Sequence, residues 1–175
     1  MKKQLFLFSG ILMSAVLLSC QKELSSKQDI AAEMATTASN AKSGKAVPFK
    51  GEYTTTVQVL SGPPQLRQRI TGNGHATHLG ESSFVANNTI TIAPPPPFLA
   101  TGTTVFVADN GDEFYTSFNG SSTPGPNGTS IVVVNHTIIG GTGRFSDATG
   151  TFTGNTIANP ALPTGTITYN GTISY

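Results

Sequence analysis

Few side chains in this sequence could do chemistry, and their spacing decides what kind. The three histidines are His75, His78 and His136. His75 and His78 stand three apart in β-forming sequence, where such residues point to opposite faces. They could share a metal only if Gly74 or Gly80 introduced a bulge. His136 is far along the chain, so the expectation is no metal and three polar strand residues with satisfied ring nitrogens. Asp109, Asp112 and Glu113 surround Asn110-Gly111. They lack the alternating oxygens and terminal bidentate Glu of a calcium loop, and acidic residues favour turns through local hydrogen bonds. Glu52 and Glu81 are the lone carboxylates on expected strands and the weak catalytic candidates. Turned into a closed barrel, either would have its pKa raised by desolvation and could serve as general acid or base. Glu52 has the opposite parity to Tyr53 and Val57, which favours solvent, and the face of Glu81 is open. No Ser-His-Asp order, phosphate loop or His-Glu-x-x-His pattern is present, and no cofactor is implied.

The remaining reactive group is Cys20, the chain's single cysteine. Before it, Met1-Lys2-Lys3 is a short basic start and Leu5 to Leu18 an apolar run broken only by small residues. That run is shorter than the roughly 20 residues of a spanning helix and has the layout of a secretory signal over residues 1–19. Val16-Leu17-Leu18-Ser19-Cys20 resembles the lipobox of bacterial lipoproteins. The resemblance implies that Cys20 is acylated and tethers the protein to a lipid bilayer without spanning it. A lone cysteine suits that role, since an oxidising compartment makes a free thiol a liability and no disulfide partner exists. The alternative is a plain secretory signal with an incidental cysteine. Gln21-Lys22-Glu23 resembles the short tag of surface-exported lipoproteins, although ordinary linker charge would look the same. The expected location is the cell envelope, anchored to the outer membrane on its periplasmic or its outer face. Residues 20–46, rich in Ser, Ala, Lys and Thr, read as a flexible lipidated linker.

What must position any site is the domain expected over residues 47–175. The chain of 175 residues suffices for one domain with a sizeable core. Charged residues make up only 11%, against roughly 25% in an average soluble domain, so the surface is expected to be polar but uncharged. From Val47 onward four basic residues face six acidic ones. Without clustered Lys and Arg, nucleic acid is not an expected partner.

Helical periodicity is absent from this region. Tyr53, Thr55, Val57 and Val59 alternate with Thr54, Thr56 and Gln58, the period of a half-buried strand. Further strands are expected over Gln65 to Thr71, His75 to Leu79, Ser83 to Val85 and Thr89 to Ile92, with Asn73-Gly74 as an interruption. Pro94 to Pro97 reads as an edge loop in polyproline geometry. Thr103 to Ala108 and Glu113 to Phe118 form a hairpin about Asn110-Gly111, and Ser121 to Gly128 reads as a loop. Ile131 to Val134, apolar on both parities, suggests a strand covered on two sides. Thr151 to Ile157, Gly165 to Tyr169 and Thr172 to Tyr175 complete eight or nine strands, the last two joined by a turn at Asn170-Gly171. Such a chain must close into a barrel or stack two sheets.

One stretch narrows that choice. Ile139-Gly140-Gly141-Thr142-Gly143-Arg144-Phe145-Ser146-Asp147-Ala148-Thr149-Gly150 joins two β-forming runs. Its glycines permit positive φ, Phe145 supplies an apolar anchor, and Ala148 with Gly150 keeps the returning strand thin. Arg144 is expected to cap carbonyls or pair with Asp147. The pattern resembles the hairpin motif of the dirigent and allene oxide cyclase barrels, and Gly72 to Gly80 is similar to a segment of secreted bacterial relatives of that group. The resemblance implies an all-β, small antiparallel eight-stranded barrel with an axial cavity. Three functions stay open: binding of a small apolar ligand in the interior that eight strands leave, a cyclase or isomerase working in the cavity, which the resemblance alone implies, and a structural or adhesive surface module suited to the uncharged Thr, Ser and Asn exterior. A lumen packed by Phe106, Phe114, Phe118, Phe145 and Phe152 would exclude the first two. An open pocket with one buried carboxylate would favour the enzyme.

Overall fold

The computed structural model describes residues 44–175; the expected signal, Cys20 and most of the expected linker lie outside them. Eight strands follow one another as β1 (Val47–Ser61), β2 (Gln65–Ala76), β3 (Gly80–Thr91), β4 (Phe98–Val107), β5 (Glu113–Pro124), β6 (Ser130–Gly141), β7 (Thr149–Ala158) and β8 (Thr164–Ser174). Each pairs antiparallel with the next, and β8 returns to β1, with Val47 opposite Ile173 and Thr56 opposite Thr164. The sheet therefore closes into a barrel with no free edge, as the sequence pattern and the resemblance both allowed.

Period-two alternation sorts the wall. Along β1, Phe49, Tyr53 and Thr55 point inward and are buried, while Lys50, Glu52, Thr54 and Thr56 face solvent. The two ends of the barrel differ in composition. One, here the glycine end, carries both termini of the domain, the β2–β3 and β4–β5 turns and the glycine-rich β6–β7 connection. The other holds the remaining four connections and all the prolines except Pro48, ten of the eleven in the chain. Proline suits these connections because it cannot donate to a ladder.

Several local expectations are corrected. Asn73-Gly74 and Asn170-Gly171 look like turns, yet each lies within an unbroken strand, β2 and β8. Their glycines serve close approach: a Cβ at Gly74 would collide with the Glu52 backbone, and one at Gly171 with Phe152. Likewise β3 runs unbroken from Gly80 to Thr91, and β5 continues to Pro124 where a loop was expected. Pro94 to Pro97 is no edge but the connection between paired β3 and β4. Ile131 and Val133 are exposed, so β6 is covered on its inner face only.

The β6–β7 connection makes a tight corner. A bulge at Ile139 precedes it, and Gly140 (φ 144°), Gly143 (φ 54°) and Gly150 (φ 142°) adopt conformations that favour glycine. Gly141 is crowded by the carbonyls of Glu113 and Phe145. Phe145 and Ala148 are buried, with the Phe145 ring 5.5 Å from Phe114 and 5.2 Å from Tyr175. Together with Leu79 and Ile173 they seal the glycine end.

Candidate functional site

Inward positions in the glycine half are filled by rings. Phe49, Tyr53, Phe84, Phe106, Phe114 and Phe152 are all buried. Phe106 stacks on Phe114 at 4.7 Å between centroids, and Phe49 lies 4.7 Å from Phe152. Edge-to-face contacts then link Tyr53 and Tyr169 to the cluster. Such rings contribute through burial and through their quadrupoles. All five rings expected to pack the lumen, Phe106, Phe114, Phe118, Phe145 and Phe152, are buried, and this half is a solid plug that excludes a ligand; of the five only Phe118 borders the cavity that remains.

The proline half is different. Val57, Leu66, Ile70, Val132 and Ile167 occupy inward positions on β1, β2, β6 and β8 yet remain only half-buried. Between plug and mouth lies a cavity of about 60 Å³, walled by apolar groups of Ile70, Phe84, Ala86, Phe118, Val134 and Ile167. The barrel is thus a cup, floored by aromatic rings.

Asn88 on β3, Thr104 on β4, His136 on β6 and Thr156 on β7 interrupt that apolar wall; Thr156 Oγ1 is satisfied, donating to the Thr166 carbonyl at 2.7 Å. Asn88 Nδ2 donates to Gln68 Oε1 at 3.0 Å, which leaves Oδ1 without a protein partner. Thr104 Oγ1 has none. His136 Nδ1 and Thr116 Oγ1 share a hydrogen bond of 2.9 Å, which leaves Nε2 unpaired. His136 is held by stacking at 4.8 Å on Phe152 and by Phe118 at 4.9 Å. Burial pushes its pKa down to about 3, so the ring is neutral at physiological pH. The relative exposures of Asn88, Thr104 and His136 are 7%, 1% and 2%, so bulk water does not satisfy them. Each bare buried polar atom costs about 1–3 kcal/mol, and native proteins keep few of them. The floor of the cup therefore holds three buried polar atoms that no protein group satisfies. The same desolvation raises the hydroxyl pKa of Tyr53 to about 12, with the Ser82 hydrogen bond at 2.8 Å opposing it, and raises that of Tyr169 further.

The residues singled out from sequence lie elsewhere. Glu52, His75 and Glu81 face solvent on the outer wall, where His75 is the cross-strand neighbour of both carboxylates. No Asp or Glu is buried among the described residues. His78 sits in the β2–β3 turn with φ 68°, its ring bonded to the Pro48 carbonyl and the Tyr175 hydroxyl, both at 3.1 Å. Asp112 accepts from Asn110 Nδ2 at 2.8 Å and from the Arg144 backbone N–H at 3.3 Å; these bonds lower its pKa. Arg144 does not reach Asp147. The turn at Gly143–Phe145 swings it across to Asp109 and Asp112, at 3.8 and 3.7 Å, and over the Phe145 ring. Glu113 accepts the Tyr115 hydroxyl at 2.9 Å. These acids shape turns. Among the described residues no three of His, Cys, Asp or Glu are grouped to hold a metal ion.

Asn88 and Thr104 were not singled out from sequence, and His136 was read as already satisfied. A signal existed. In Phe84-x-Ala86-x-Asn88-x-Ile90 and Val132-x-Val134-x-His136-x-Ile138 one polar residue occupies the apolar parity.

Outside the barrel a shallow groove of about 430 Å³ runs over β6, β7 and β8, edged by Asn135, Thr137, Thr151, Thr153, Asn170 and Thr172. It offers hydroxyls and amides but no charge and no aromatic platform. Comparison with family models, curated proteins and solved structures returns no match to this chain.

Proposed function

We propose that this is a lipid-anchored bacterial envelope protein whose barrel, of the allene oxide cyclase and dirigent kind, binds a small apolar ligand through its proline end. One observation carries the binding reading: Asn88, Thr104 and His136 line one largely apolar cavity, and each holds a buried polar atom without a protein partner (Oδ1, Oγ1 and Nε2). The ligand has an apolar body against Ile70, Val132 and Ile167 and a neutral head that donates to Asn88 and exchanges a hydrogen bond with Thr104. A carboxylate does not suit this site, because no cation lines it and an unpaired buried charge is costly. The cavity's 60 Å³ is well below the roughly 300 Å³ of a drug-sized site, so only the head is enclosed and the body extends toward the mouth. Binding is favoured over a cyclase because the candidate acids Glu52 and Glu81 lie on the outer wall. Support for the family is the closed eight-stranded topology with its glycine corner; support for the anchor is Val16 to Cys20.

Native mass spectrometry of protein purified from its own host tests the reading, with titration by straight-chain alkanols beside alkanoates of equal length. A retained small molecule, and thermal stabilisation by alkanols lost in Asn88→Leu, are expected. A bare protein mass together with no alkanol response would end it. The outer groove supports a second reading, contact with a glycan or neighbouring surface, and intact binding to a glycan array by the Asn88→Leu protein would favour it.

A further inference from the structure

The mouth of the cup is unlike the rest of the exterior. Of the nine exposed large apolar side chains among the described residues, six (Val59, Leu60, Leu99, Ile131, Ile157 and Leu162) lie at the proline end, on β1, β4, β6, β7 and the β7–β8 connection, against Ile139 and Tyr175 at the glycine end and Val133 on the wall. Ile131 and Ile157 are direct cross-strand partners. Charge is segregated along the same axis. The described carboxylates, Glu52, Glu81, Asp109, Asp112, Glu113 and Asp147, are all in the glycine half, whereas the proline half carries only Arg67 and Arg69 as charged groups, both exposed on β2.

We infer that this apolar, arginine-bearing rim docks on the surface of an anionic lipid bilayer, with the mouth facing the membrane. An apolar ring with cationic neighbours and no acid matches the boundary between acyl chains and acidic headgroups, where apolar burial and electrostatic attraction add. The glycine half, with six carboxylates against Lys45, Lys50 and Arg144, keeps a negative balance that the same surface repels, which orients the barrel. Attachment does not forbid it. The domain begins at the glycine end, and residues 21–46 reach at most about 90 Å from Cys20, against a barrel height of about 30 Å. The inference goes beyond luminal binding and does not require it.

The chain contains no tryptophan, so single reporters read cleanly. The mature chain is reconstituted with vesicles of phosphatidylcholine and phosphatidylglycerol at about 7:3, with and without brominated acyl chains. Leu162→Trp and Leu60→Trp at the rim are expected to shift to the blue and lose about half their emission to brominated lipid, while Ile139→Trp at the glycine end loses almost none. Replacing phosphatidylglycerol by phosphatidylcholine, or introducing Arg67→Gln with Arg69→Gln, is expected to reduce rim quenching at least about two-fold. Equal quenching of all reporters, none at the rim, or indifference to both charge changes overturns the proposal. So does a concentration-dependent dimer whose rim reporters are shielded without vesicles. Alkanol titration of the same variants in vesicle-free buffer reports separately on luminal binding.

Discussion

Acidification from pH 7 to pH 5 is predicted to cost this barrel about 2 kcal/mol through His136 alone. In the unfolded chain its imidazole titrates near 6.5, while in the folded barrel burial lowers the value to about 3. Below pH 6.5 the unfolded state takes up a proton that the folded state refuses. The stability contribution is therefore complete above that pH and is lost as pH falls toward 3. For this pair of values the linkage gives about 2 kcal/mol at pH 5 and on the order of 5 kcal/mol in full. Urea unfolding at pH 7, 6 and 5 measures it, and the midpoint is expected to fall by about 1 M over the range. His136→Phe keeps the stack on Phe152 and removes the titration, so its midpoint is expected to stay nearly level. Parallel loss in wild type and His136→Phe would refute the reasoning, because other groups would then carry the pH dependence. Asp112 also contributes on acidification, since its carboxyl is lowered by Asn110 and the Arg144 N–H, but that loss belongs to a lower pH window.

Other consequences follow from the same contacts. Thr104→Val removes an unpaired buried hydroxyl at constant shape and is expected to raise the stability of ligand-free protein by about 1 kcal/mol in chemical denaturation, while weakening alkanol binding. Gly171→Ala drives a methyl into Phe152 and is expected to destabilise by about 2 kcal/mol or more, seen as a lower melting temperature. Arg144→Ala is expected to cost under about 1 kcal/mol despite two ion pairs, because Arg144 and Asp109 are both well exposed; thermal unfolding in low and high salt checks it.

The barrel was legible because its cause is simple. Strict alternation along Tyr53 to Val59 and punctuation by Gly, Pro and Asn dictate many short strands, and the Gly140 to Gly150 corner favours closure. Local glycine signals misled where long-range packing decides. Asn170-Gly171 has turn chemistry, yet the partner strand's Phe152 needs the space that glycine leaves. Arg144 illustrates the same limit, since its partners Asp109 and Asp112 become neighbours only when β5 and β6 pair. The cup floor was hidden for a related reason. Asn88, Thr104 and His136 are far apart in sequence, and whether a strand histidine is satisfied depends on what the neighbouring strand offers. Thr116 serves one ring nitrogen of His136 and nothing serves the other.

The seam between β1 and β8 has a consequence for how the molecule comes into being. The first and last strands are zipped together along ten residue pairs, so the ring cannot be finished until its final segment is made. Any shortened product ending before Thr164 would present two raw margins and would lack Tyr169 and Ile173 from its interior. Such a product is predicted to aggregate rather than to settle as a partial barrel.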